Sequence, residues 1–225
     1  FGARAGSVAA GFVAAWAAYR TGTVDGFIRR TQDNSVFTML AVEGLLVGLV
    51  GAAIWMGILV AGRAQTSKEA INETTGLSIG GLLKRALTTR SCQAAFVVAI
   101  FAGGAAAWAV VQEPLKGQTI FGAGVAGIAA GLAGRLVGVT IGEEPGGVPV
   151  ILAMAVLSFV GPLTVYLAPG SDDVVGSLYS GDFVGSAAPL SLDWLAGSLL
   201  GVPIGLNWVG SMMDKRQPEA RASSS

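Results

Sequence analysis

The chain has 225 residues, 52% of them hydrophobic and 12% charged, with 14 Lys and Arg against 14 Asp and Glu. A soluble domain carries roughly a quarter charged residues and about 7% Gly, whereas this chain has 34 Gly. Zero net charge gives no case for nucleic-acid binding. The absence of His excludes His-ligated metals and triads, and a lone Cys92 excludes an internal disulfide or a Cys-based metal site, so no cofactor is expected.

In chain order, six apolar runs stand out, at 5–19, 36–61, 91–111, 119–142, 148–168 and 194–213. A helix needs about 20 residues to cross ~30 Å of hydrocarbon, so the first run is short and the others suffice. The predicted fold is an all-α, polytopic membrane helix bundle of about six transmembrane helices, a single domain over 1–213. The chain begins at Phe1, which fits either a removed targeting segment or a fragment.

Charge sets the orientation. With six spans, Arg4, Arg63, Lys68, Lys84, Arg85, Arg90, Lys215, Arg216 and Arg221 fall on one side, and Arg20, Arg29, Arg30 and Lys116 on the other. The positive-inside rule then puts both termini on the cytoplasmic side. Trp16, Tyr19, Trp108, Tyr166 and Trp194 lie at predicted outer ends, Trp55 and Trp208 towards inner ones. A bacterial-type cytoplasmic membrane is expected, or an organelle membrane after loss of a presequence.

The inner segment 62–90 ends in a stretch with Ile79, Leu82, Leu83 and Leu87 near one helical face. This reads as an interfacial helix or as an extension of the third span. Asn72 matches a glycosylation pattern but falls on the inner side. The outer segment 169–193 holds Asp172, Asp173, Asp182 and Asp193 without Lys or Arg, and is expected to be a solvated acidic loop; its spacing is not that of an EF-hand. Residues 214–225 are expected to be a disordered tail. Short matches at an offset of 92, such as Ala14-Ala15-Trp16 with Ala106-Ala107-Trp108, are too Ala-rich to establish a repeat.

The run 119–142 organises the rest. Gly127 and Gly131 repeat at i, i+4, as do Gly134, Gly138 and Gly142, so each set forms a small-residue ridge that admits a close neighbour. Gly122-x-Gly124-x-x-Gly127 formally matches a dinucleotide fingerprint but follows no strand. Charges inside spans are the functional candidates. Glu43 lies about 10 Å below the outer end of the second span, and suits proton carriage, cation binding or simple interhelical bonding. Arg135, in the fourth span, suits snorkelling, a pair with Glu143 or Glu144, or an anion site. Pro203, with Asn207 one turn on, interrupts the last span and frees the Leu199 carbonyl; Pro162 frees that of Ser158.

These residues support three functions. A small transporter or channel would line a path with Glu43, Arg135, Pro203 and Asn207. A non-catalytic packing subunit would join further copies or a larger membrane complex. A membrane-embedded enzyme would lack any recognisable motif. The expectation leans to transport, with the lipid bilayer as the one certain surrounding.

Overall fold

A computed structural model describes residues 2–31, 33–66, 79–142, 145–167, 176, 180 and 185–222. Its elements are α1 (Gly2–Arg20), α2 (Val24–Thr31), α3 (Ser35–Thr66), α4 (Ile79–Thr88), α5 (Arg90–Val110), α6 (Lys116–Thr140), α7 (Val148–Leu167), a 3₁₀ turn (Gly185–Ala187) and α8 (Ser191–Ala222). The described residues contain no strand. The fold is an all-α membrane helix bundle.

Five helices, α3 and α5–α8, are long and apolar enough to cross a membrane; α1 is not among them. At 19 residues α1 reaches about 28 Å, and it is held by packing rather than by hydropathy. Ser7, Gly11, Ala14 and Ala18 form its buried stripe, at helical spacing, while Phe12, Val13, Trp16 and Tyr19 face outward. Small residues on that stripe let α1 lie close on α8, where Gly11 approaches Leu200.

Contacts between helices fix their directions. Gly44 and Gly48 of α3 meet Ser158 and Ala155 of α7, and Trp55 meets Gly147, so α3 and α7 are antiparallel. Gly103 and Gly134 set α5 antiparallel to α6, through Ala126 and Ala95 respectively. Along α6 and α8, Ala123 meets Gly197 and Gly131 meets Gly205, so these two helices are parallel.

The connections therefore alternate between two ends. At one, the α2 end, Val24 and Ile28 of α2 pack with Val36, Phe37 and Leu40 of α3, Val111, Val165 and residues 187–190. At the other, the α4 end, Cys92 donates to the Pro145 carbonyl at 3.5 Å and Gly138 packs on the Pro145 ring. Gly6 of α1 touches Ile58 of α3 near that end, and Arg135 meets Gly210 of α8 there. Both the first and the last helix thus reach the α4 end.

Several boundaries differ from the sequence reading. α2 was not anticipated, although Val24 and Ile28 at i, i+4 and the Asp25–Arg29 pair at 3.5 Å carry its signal. α4 is a separate helix rather than an extension of α5, because Thr89 between them is extended (φ −83°, ψ 131°). Gln93 caps the end of α4 by donating to the Leu87 carbonyl at 2.8 Å. The last helix begins at Ser191, so Asp193 is helical and buried, not part of a solvated loop. Its helical range extends to Ala222 and takes in Pro218. Asn72, Glu143, Glu144, Asp172, Asp173 and Asp182 lie outside the described residues.

Candidate functional site

A close interhelical approach is the seam between α6 and α8. Gly127 and Gly131 of α6 face Gly197, Gly201 and Gly205 of α8. A Cβ at Gly131 would lie 2.7 Å from the Val202 carbonyl oxygen, and one at Gly201 would lie 2.8 Å from the Ile128 nitrogen. In glycine that direction holds a Cα hydrogen. Gly127 so meets the carbonyl of Gly197, Gly197 that of Ala123, Gly201 that of Gly124, and Gly205 that of Ile128. Such Cα–H···O contacts are worth about 0.5–1 kcal/mol each, and they recur where helix backbones touch.

The α6 ridge is split between neighbours. Gly134 faces Ala95 and Ala99 of α5 and Val150 of α7, and Gly138 faces Pro145. Gly142 does not extend the ridge: it follows the helix with φ +104° and nothing within 4 Å of its Cβ direction. There a left-handed turn, which glycine adopts without steric cost, ends α6.

The four intramembrane candidates do not converge. Glu43 is exposed on α3 and accepts a hydrogen bond from Ser191, the first residue of α8. α3 begins at Ser35 and its first turn belongs to the cluster at the α2 end, so Glu43 lies towards that end, within the apolar span Ser35–Gly62. Arg135 is half-buried near the α4 end, where its guanidinium donates to the Leu206 carbonyl of α8. Gly210 makes room for it; a Cβ there would be 2.8 Å from Nη1. Pro203 is buried and Asn207 half-buried.

Both proline-freed carbonyls are met by another helix. Ser7 of α1 donates its hydroxyl to the Leu199 carbonyl at 2.8 Å, in a buried bond that joins residues 192 apart in sequence. The Ser158 carbonyl lies against Gly44 of α3, and the Ser158 hydroxyl sits 2.6 Å from the Gly44 carbonyl. The freed acceptors thus serve as interhelical ties, as expected of kinks inside a packed bundle.

One charged pair escaped the sequence reading. Lys116, at the start of α6, meets Asp193 in the first turn of α8 at 2.8 Å, with the two side chains 11% and 0% exposed. The other Asp193 oxygen accepts the Leu190 N–H at 2.9 Å, capping α8, and Thr119 flanks the carboxylate. The available signal was an acidic residue three positions after a helix start, but the cap is a leucine backbone and so leaves no Ser or Thr signature.

A crevice of about 290 Å³ lies between α5 and α7 and is bounded by α8. Ala105 and Trp108 come from α5, Leu157, Gly161 and Thr164 from α7, and Trp194 from α8. None of Glu43, Arg135, Pro203 or Asn207 lines it. Trp194 is 2% exposed, and its indole N–H has no hydrogen-bond acceptor among the described residues. Among those residues no group of three or more His, Cys, Asp or Glu side chains is placed to hold a metal ion. Compared with protein-family models, curated proteins and solved structures, the chain matches none.

Proposed function

We propose that this integral membrane protein is a non-catalytic packing subunit of a larger membrane assembly. The observation that carries the reading is the separation of the ionisable candidates. Glu43 is on the outside of α3 towards the α2 end, and Arg135 is tied to the α8 backbone across the glycine seam. The transport reading puts Glu43, Arg135, Pro203 and Asn207 along one wetted line, and the Leu199 carbonyl that Pro203 frees is instead bonded by Ser7.

A surface for a partner is available on α3. Ala53, Gly57 and Ala61 are exposed at i, i+4 spacing, and among the described residues nothing approaches the Cβ direction of Gly57 within 4 Å. Small residues at that spacing permit close approach of another helix in lipid. The partner is a further copy of this chain or a different membrane subunit. Blue-native electrophoresis of mildly solubilised membranes tests the reading. The wild type should migrate as an assembly larger than one chain, and Gly57→Trp should release a folded monomer. Migration of both at the monomer mass would contradict it.

A further inference from the structure

We infer that α4, with the first residue of α5, is a docking surface for anionic phospholipid headgroups. Lys84 and Arg90 supply the charge, and Leu83 and Leu87 enter the apolar edge of the leaflet. The inference stands apart from the packing reading above and begins from the position of α4. Arg90 opens α5, a helix long and apolar enough to cross the membrane, and the extended Thr89 is the one residue between it and α4. α4 therefore lies where the hydrocarbon ends.

The faces of α4 are divided as an interfacial helix requires. Ala86 is 6% exposed and belongs to the same core cluster as Trp55, which ties α4 to the bundle. Leu83 and Leu87, one turn apart, are exposed. At about 100° per residue they fall between Ala86 and Lys84 on the helix circumference. The order around the helix is thus bundle contact, bare leucines, then an exposed cation. At the edge of a leaflet the leucines can enter the acyl region, while the lysine stem keeps its charge among the headgroups.

Charge identifies the occupant. Lys84, Arg85 and Arg90 are all exposed, and the sequence holds no Asp or Glu between Glu73 and Glu113. α4 packs on α3, α5 and α7, and the one carboxylate among their described residues is Glu43, which lies towards the opposite end. Those helices bring no counter-charge to α4. An anionic lipid supplies both what the cations attract and what the leucines need. Each Lys or Arg near an anionic leaflet adds about 1 kcal/mol, or about fivefold in affinity.

The test uses the full chain in phosphatidylcholine vesicles with a trace of photoactivatable lipid carrying a diazirine near its headgroup. The probe is phosphatidylglycerol in one set and phosphatidylcholine in the other, and labelled peptides are mapped after photolysis. The surface predicts that phosphatidylglycerol labels residues 80–93 in preference to phosphatidylcholine. That preference should exceed the one at α2, where Asp25 offsets Arg29. Lys84→Gln and Arg90→Gln, both at exposed positions, should each lower the preference about fivefold, and together roughly 25-fold. Added salt should weaken it by screening, and inorganic phosphate should weaken it no more than chloride of equal ionic strength. Leu83→Ser with Leu87→Ser should reduce labelling by both lipids alike. Equal labelling by the two lipids, or a preference that survives the double Gln substitution, would overturn the surface. Displacement by phosphate beyond the chloride effect would overturn the lipid as its occupant. Undiminished labelling of the double Ser variant would overturn the role of the leucines.

Discussion

Substitution of Gly201 by alanine tests the seam that holds the bundle together. The new methyl would sit 2.8 Å from the Ile128 nitrogen and 3.0 Å from the Gly127 carbonyl carbon, against backbone that cannot rotate away. Ordinary contact begins at 3.4 Å, so against the Ile128 nitrogen alone the shortfall is 3.4 minus 2.8, and since the Gly124 carbonyl oxygen lies closer still, the helices must part by at least about 0.6 Å. A gap of that size forfeits about a quarter of the dispersion well for the atoms lining it. It also stretches the Cα–H···O contacts at Gly127, Gly197 and Gly205. Overpacking costs about 1–3 kcal/mol. The opposing gain in helix propensity, about 1 kcal/mol in water, shrinks in a bilayer that enforces helix anyway. Gly201→Ala should therefore destabilise by about 1–3 kcal/mol. Gly124→Ala is the matched control, because it lies on α6 with nothing within 4 Å of its Cβ direction, and should change stability by less than about 0.5 kcal/mol. Unfolding in mixed micelles with rising SDS, followed by tryptophan fluorescence, measures both. Equal stability of the wild type and Gly201→Ala, or equal loss in the two variants, would refute the reasoning.

Ser7→Ala leaves the Leu199 carbonyl, freed by Pro203, without its donor, and should cost about 0.6–1.7 kcal/mol in the same titration. Lys116→Met strands a buried carboxylate and should cost about 3 kcal/mol, whereas adding Asp193→Asn should recover most of the loss; a double-mutant cycle reads the coupling. Asp33, before α3, accepts bonds from the Ser35 backbone N–H and hydroxyl, which hold its carboxyl below the usual aspartate value. Its small contribution to stability is therefore present above the unfolded aspartate pKa and lost as pH falls through the folded one. NMR titration of the carboxyl carbon should give a lowered midpoint that Ser35→Ala moves upward.

The bundle was readable because its cause is compositional: 12% charge and long apolar runs admit little except membrane helices. The α6 glycines were equally visible, but their partners were not assigned, since Gly197, Gly201 and Gly205 gain meaning only once α8 is known to run parallel to α6. Proline position identified Leu199 and Ser158 as carbonyls in need of partners, yet Ser7 lies 192 residues from Leu199, beyond any local pattern. Charge misled at one position. Asp193 read as solvated because it follows an acidic stretch, although Lys116 covers it from α6.

The most direct test of the account is water access at positions 43, 135, 203 and 207. Single cysteines there, in a Cys92→Ser background, are treated with a membrane-impermeant thiol reagent from each side. The account predicts labelling at position 43 from one side only, and protection at positions 135, 203 and 207, which lie along the α6–α8 region of the bundle. Labelling of all four along a continuous line would contradict it and establish a solute path in its place.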